Sequence, residues 1–390
     1  MSFDQGREVV IVEAARTPIG RGHPEKGYYK DTHPNELLGK AYTAVIERSG
    51  IDASEVEDVI TGCVQQIGEQ AFNVGRNAWL QAGLPMETPA TTVDRQCGSA
   101  QQAVNFAAAL IASGVHDVAI GSGVEHMGHV PFSVGFETQG KYGAAFAPEL
   151  MERYQLVPQG LSAEMIADKW EIPRSELDEL AVRSHRLAHQ ATEEGRFERE
   201  TIPFQVNGST YVTDQGIRPD TSLEKLSELK PAFKEDGKIT AGNSSQISDG
   251  AAAVLLMSAD KARALGLTPR ARIKDQTTVG VDPVIMLTGP IPATRKLLDR
   301  NKMKIEDVDL IEINEAFAPV IAAWQREHQP DMDRVNVNGG AMALGHPLGS
   351  TGARLITTLL HELERSDKEV GLVTMCCGGG LGTGTLIERI

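Results

Sequence analysis

The chain has 390 residues, room for two or three packed domains, with a composition rich in Gly and Ala and few aromatics. A formal charge of −15 without a local basic patch excludes nucleic acid as the expected partner, since a phosphate backbone would be repelled. No run approaches the ~18 apolar residues that span a bilayer. Four cysteines make no disulfide framework, and neither CxxC pairs nor Cys/His zinc spacings occur, so no bound metal is expected. Met1–Glu8 shows no basic stretch leading into an apolar core. The expectation is a soluble cytoplasmic protein with free thiols.

Taken in chain order, Glu55–Ile60 leads into Thr61-Gly62-Cys63-Val64, which reads as a helix end, a turn and a buried strand. Cys63 fits there as a small buried hydrophobe. Val93-Asp94-Arg95-Gln96-Cys97-Gly98-Ser99 follows, with a helix predicted over Ala100–Ala112 that ends near Gly114, then a strand at Val118–Gly121. From Glu125 to Lys238 the character changes. Charged helices such as Arg174–Leu180 alternate with predicted turns at Pro158-Gln159-Gly160 and Pro219-Asp220. This stretch reads as an insertion folded over the first half, a cover for a bulky substrate.

The first half is then echoed at a period of about 250 residues. Ile305–Ile311 leads into Glu312-Ile313-Asn314-Glu315 as Glu55–Ile60 led into Thr61. Gly349-Ser350-Thr351-Gly352 opens a helix predicted from Ala353 to Leu363, followed by a strand at Val370–Thr374 with Cys376 just past its end. Both halves share one β-α-β plan, with helices covering a largely apolar sheet. The Cys97 and His346 loops occupy corresponding places, each between a strand and the next helix. Halves packed about a pseudo-twofold axis would bring them face to face.

The loops hold a rare combination of reactive groups. Cys97 precedes a helix whose unpaired amides favour thiolate, and Gly98 and Ser99 leave room for a carbonyl. Pro347 fixes the setting of His346, a base able to take the thiol proton. Cys376 and Cys377 precede Gly378-Gly379-Gly380, bare amides suited to an oxyanion hole. Side chains alternate along a strand, so one of the two thiols should face the cavity. Asn314-Glu315-Ala316-Phe317 ends another strand, where Asn314 either holds a water or thioester oxygen or caps a helix.

Cys97-Gly98-Ser99, Asn314-Glu315-Ala316-Phe317, Gly345-His346-Pro347 and Cys376-x-Gly378 resemble, in order, the four active-site blocks of the thiolase family, and the resemblance covers essentially the whole chain. Ala241-Gly242-Asn243-Ser244-Ser245 followed by Asp249-Gly250-Ala251-Ala252 resembles its coenzyme A loop. The resemblance implies an α/β class protein with a duplicated, five-layered α-β-α-β-α fold. Its N-terminal half would cover 1–124 and 239–268, the inserted loop domain 125–238 and the C-terminal half 269–390. It further implies Cys97 as acylated nucleophile, His346 as its base and Cys376, not Cys377, as the proton-transferring thiol. Asn314, through a water, and His346 would form one oxyanion hole, and the amides of Cys97 and Gly378 the other. Arg218, Phe233, Ala241, Ser245, Ala316 and Phe317 fall where the family contacts coenzyme A, and Met286 and Gln159 at its acyl site.

Two residues depart from the common family pattern. Asp94 stands where many members have Asn before the nucleophile, a change that touches packing more than chemistry. Gln159 stands where many have Met lining the acyl site, and that change points away from simple acetoacetyl specificity. The segments around Cys97, Ser244–Asp249 and Asp333–Gly340 look most like bacterial thiolases of fatty-acid and sterol side-chain breakdown. The implied reaction is CoA-dependent cleavage of 3-ketoacyl-CoA through an acyl-Cys97 intermediate. Coenzyme A would be co-substrate, no cofactor would be permanently bound, and the assembly would be a homodimer or homotetramer. A decarboxylating ketoacyl synthase would pair its nucleophile with two His or with His and Asn, which the Cys376-x-Gly378 block argues against. A silent acyl-CoA- or lipid-binding protein would have lost a catalytic residue, and none is lost.

Overall fold

The computed structural model describes residues 7–390. The first half supplies β1 (Val9–Arg16), β2 (Gly20–Arg21), α1 (Pro34–Ser49), β3 (Asp58–Gly62), α2 (Val74–Gln81), β4 (Ala90–Val93), α3 (Ser99–Ala112) and β5 (Val118–His126). An excursion follows through the longer helices α4 (Gln159–Lys169) and α5 (Arg174–Glu193) and a hairpin of β6 (Phe204–Val206) and β7 (Ser209–Tyr211), and β8 (Ser248–Ser258) returns to the sheet. The second half supplies β9 (Ala271–Gly280), α6 (Pro290–Arg300), β10 (Leu310–Ile313), α7 (Ala318–His328), α8 (Thr351–Arg365), β11 (Val370–Cys377) and β12 (Leu381–Arg389).

One ten-stranded sheet runs in the order β10-β11-β12-β9-β1-β8-β5-β3-β4, with β2 attached to β8. The duplication is visible in the pairing. β3 lies parallel to β4 and β5, as β10 lies parallel to β11 and, through an Ile311–Val335 bridge, to the chain before α8. In each half the remaining strands pair antiparallel. The halves join where β1 meets β9, through Val10–Arg272 and Ile11–Ala271.

α3 buries Ala100, Ala103, Val104, Ala107, Ala108 and Ile111, a stripe at helical spacing. α8 buries Leu355, Ile356, Leu359, Leu360 and Leu363. The two helices pack on each other and on strands of both halves, forming a central apolar layer. α1 and α2 cover the outer side of the first half around Leu37, Tyr42 and Trp79. α6 and α7 cover the second around Leu297, Ile321 and Trp324. These layers make the expected α-β-α-β-α arrangement.

The central helices touch most closely at their starts. A Cβ on Gly352 would lie 2.2 Å from the backbone nitrogen of Gln101, and one on Gly123 2.0 Å from the carbonyl oxygen of Gly349. The Gln101 side chain crosses between halves, donating to Val373 O at 3.1 Å and Thr385 Oγ1 at 2.8 Å. Thr385 Oγ1 in turn donates to Asn105 Oδ1 at 2.8 Å. A buried polar group costs free energy unless bonded, so these contacts fix the register of α3 against β11 and β12.

Three boundaries differ from those read in the sequence. β5 continues to His126, because the buried Glu125 carboxylate accepts from the amides of Val64, Gln65 and Gly349 and holds the strand in register with β8. β11 runs through Cys377, so Cys376 lies within the strand, opposite Gly382, rather than just past its end. Pro158-Gln159-Gly160 is not a turn but the start of α4. Pro158 is its N-cap, because proline's fixed φ suits a helix entrance.

Gly352→Ala should therefore cost about 1–3 kcal/mol, the range for overpacking against rigid surroundings. Its denaturation midpoint should fall well below that of Gly140→Ala, where an added Cβ meets nothing within 4 Å.

Candidate active site

Cys97 sits in a tight turn between β4 and α3. Gln96, immediately before it, adopts a left-handed backbone (φ 50°) that costs a non-glycine residue about 1–2 kcal/mol. Local bonds hold it there. The Gln96 amide donates to Asp94 Oδ1 at 2.6 Å, the Arg95 amide to Ser99 Oγ at 2.8 Å, and Ser99 Oγ to Gln96 O at 2.6 Å. The residue is 3 % exposed. Burial pushes it up to about 11, although the amides of Gly378 and of Cys97 itself favour the charged form. The helix start was expected to favour thiolate, but desolvation outweighs it.

His346 enters from the other half, also buried. Its amide donates to Gln246 O at 3.2 Å and lies 3.1 Å from Ser248 Oγ. Its Nδ1 is 2.6 Å from Thr351 Oγ1, which also donates to Pro347 O at 2.8 Å. A hydroxyl has one proton and a carbonyl only accepts, so both contacts are met together when Nδ1 carries the ring proton. Nε2 is then the free base. Facing it at 3.3 Å is Asn314 Nδ2, a donor matched to that lone pair. Asn314 Oδ1 is buried without a protein partner. Burial, aided by the Arg354 charge, lowers His346 to about 3, so the ring is neutral at any physiological pH. Asn314 caps no helix, since α7 has Phe317 at its N-cap.

Cys376 and Cys377 point to opposite sides of β11. Cys376 joins the apolar group of Met286, Leu287 and Ala316, and Cys377 the central layer with Cys97. A Cβ on Gly98 would lie 2.6 Å from the Cys377 sulfur. Burial raises both thiols well above the ordinary cysteine range. Cys377 is thus the thiol packed against the Cys97 turn, and Cys376 faces the Met286 side of the strand. Gly379 and Gly380 have left-handed backbones (φ 77° and 76°), which lets β11 turn into β12 beside Gly378.

Further residues converge from the excursion. The Ser245 amide donates to Ala316 O at 2.9 Å, Ser244 bridges to Phe317, and the Ala318 amide donates to Asn243 O at 3.0 Å. The Phe233 ring meets Phe317 edge-on, with centroids 5.9 Å apart, and lies over Gly160 at the start of α4. Gln159 reaches Gly378, where an added Cβ would stand 2.7 Å from its Nε2. Ala241 is exposed beside the turn that Asn243 closes onto the Thr240 amide. Arg218 is exposed, and its amide is bonded to His185 Nδ1 at 3.1 Å rather than to this group. Among the described residues no three His, Cys, Asp or Glu side chains are grouped to hold a metal ion. No helix among them is long and apolar enough to cross a membrane.

Sequence reasoning missed three supporting residues. Thr351 was read only as a helix opener, yet it sets the His346 tautomer. Glu125 was placed at the edge of an insertion, yet it anchors Gly349 of the His346 loop. Arg354, buried one turn into α8, stands 3.5 Å from Glu312 and bears on the imidazole. A usable signal was charge or hydroxyl at a helix or strand position predicted to be buried.

Two outcomes follow from this geometry. Thr351→Val should lower kcat by at least tenfold with little change in KM, because the ring loses the bond that orients it; steady-state kinetics measures both. Alkylation of Cys97 by iodoacetamide, followed by peptide mass spectrometry, should keep accelerating up to ~pH 10. A plateau near neutrality would mean a resting ion pair.

Residues 9–260 match the family described as "Thiolase, N-terminal domain", and residues 267–389 that described as "Thiolase, C-terminal domain". The chain is 45 % identical over 389 residues to the steroid 3-ketoacyl-CoA thiolase FadA6 of Mycobacterium tuberculosis, covering 98 % of this chain and 94 % of that protein. It is 46 % identical to a 3-ketoacyl-CoA thiolase of Marinobacter nauticus, covering 98 % and 99 %. The Bacillus anthracis acetyl-CoA acetyltransferase crystal structure superposes with a TM-score of 0.90 at 39 % identity, covering 99 % of each chain.

Proposed function

The chain belongs to the thiolase family, and from that premise we propose that it is an acyltransferase that cleaves 3-ketoacyl-CoA with coenzyme A. The products are acetyl-CoA and a shortened acyl-CoA, and the steps run reversibly as a Claisen condensation. The observation that carries this reading is the meeting of Cys97, from the first half, with the Gly378 amide of the second, where β11 ends in the adjacent thiols Cys376 and Cys377.

His346 Nε2 takes the Cys97 proton as sulfur attacks the C3 carbonyl of the substrate. The amides of Cys97 and Gly378, set at the Cys97 sulfur, would hold the oxygen that gains charge at C3 and stays on as the acyl-Cys97 carbonyl oxygen. The C2–C3 bond breaks, the acyl group stays on Cys97, and Cys376 gives its proton to C2 of the departing acetyl-CoA enolate. A water on Asn314, with His346, would meet the oxygen of that enolate; the unpartnered Asn314 Oδ1 supports a water there. The Cys376 thiolate then takes the proton of incoming coenzyme A, whose sulfur attacks acyl-Cys97, and His346 returns the first proton to Cys97. Buried thiols with raised pKa values suit these transfers, since each holds its proton until the substrate is in place.

Phe233, Ala241, Ser245, Ala316, Phe317 and Arg218 form the proposed coenzyme A contact, and Met286, beside Cys376, part of the acyl wall. The exposed Phe132, Phe136, Tyr142 and Phe146 support self-association as a homodimer or homotetramer.

The test is turnover of a 3-ketoacyl-CoA with coenzyme A, followed by loss of the 3-keto absorbance. Cys97→Ser should abolish both turnover and the acyl adduct seen by mass spectrometry. Cys376→Ala should keep the adduct from a simple acyl-CoA and lose carbon–carbon cleavage, whereas Cys377→Ala should be mild. An adduct confined to Cys376 or Cys377 would overturn the assignment.

A further inference from the structure

The two departures from the family pattern, Asp94 and Gln159, lie far apart in sequence but act on one spot. A Cβ placed on Gly378 would stand 2.7 Å from Gln159 Nε2 and 3.2 Å from Gln96 Oε1. Two carboxamide ends, one from each side, therefore converge in front of the glycine whose amide faces the nucleophile.

Chemistry fixes which end each amide presents. Gln96 Nε2 lies 3.3 Å and 3.2 Å from the two Asp94 carboxylate oxygens, which accept it, so Oε1 must point the other way, toward Gly378. The same carboxylate takes the Gln96 backbone amide at 2.6 Å and holds the residue in its left-handed conformation. Gln159 lies at the first position of α4, fixed by the Pro158 cap. With Nε2 inward it sets a donor opposite the Gln96 acceptor; reversed, it would set two oxygens against each other. Both side chains are partly exposed, so the space between them is open to a ligand.

A methionine at 159 would make this wall apolar. Here it carries one donor and one acceptor, and an alcohol offers the complementary acceptor and donor. We propose that Gln159 and Gln96, the latter set by Asp94, form a specificity site for 3-ketoacyl-CoA substrates with a hydroxyl group on the acyl chain beyond C3. The inference rests on the 3-ketoacyl-CoA reading above. The hydroxyl accepts from Gln159 Nε2 and donates to Gln96 Oε1, and an alkyl chain of equal length leaves both amides to water. Asp94 acts through Gln96 and is a positioning residue.

The experiment compares kcat/KM for matched 3-ketoacyl-CoA thioesters of equal length, with and without a hydroxyl at C4, C5 or C6, and for acetoacetyl-CoA. The wild-type enzyme should favour one hydroxylated isomer over its alkyl counterpart by about tenfold or more, as sites built to bond a substrate hydroxyl do. Gln159→Met should bring that ratio near or below one. Asp94→Ala, which frees Gln96 without touching Gln159, should lower it part of the way. A ratio at or below one for every isomer in the wild type, or one unmoved by Gln159→Met, overturns this inference and leaves the parent reading standing. Failure to cleave any 3-ketoacyl-CoA overturns both. Should Gln159→Met fold poorly, the wild-type ratio and the Asp94→Ala response still decide.

Discussion

The contact on which the molecule depends is the crossing of α3 and α8 at their first turns. Gly352 lies so close to the Gln101 backbone that no side chain fits between them. Each helix begins directly after a reactive loop, so this contact sets how far apart Cys97 and His346 stand. Packed helices are stiffer than loops, and catalytic geometry tolerates little error. Gln101 and Glu125 reinforce the arrangement from opposite sides. One laces α3 to the second half's strands, and the other draws the Cys63 and Gly349 segments onto β5.

Burial also sets the electrical character of the site. The forces on Cys97 and His346 push in opposite directions on the pKa scale but toward the same result, a neutral thiol and a neutral imidazole. In the proposed reaction, charge separation is deferred until a thioester carbonyl can share it with nearby amides. A resting thiolate would be exposed to adventitious electrophiles, whereas a neutral pair reacts only when substrate lowers the cost of transfer.

Much of the fold was legible because it depends on local pattern. The α3 stripe of Ala, Val and Ile repeats at helical spacing, and the duplicated β-α-β order can be followed by eye. The residues proposed to react stood out for another reason, that a thiol or imidazole beside glycines is unusual in itself. What stayed hidden involves partners distant in sequence. Nothing near Glu125 announces the Gly349 amide more than two hundred residues away, and nothing near Thr351 announces which ring nitrogen it holds. Cys376 was placed outside its strand because glycines follow it, yet pairing with Gly382 carries β11 to Cys377. Pro158 was read as a turn because proline serves equally as a helix entrance.

The segment 243–248 bonds to Ala318, Ala316 and Phe317 through its first residues and to His346 through Gln246 and Ser248. Six residues of continuous backbone thus grip both the floor proposed for the nucleotide-bearing substrate and the peptide that carries the imidazole. A displacement at one end is transmitted along covalent bonds rather than through a chain of side chains. Tight seating of the carrier and correct aim of the base become one mechanical event, so a substrate lacking its carrier would forfeit chemistry as well as affinity.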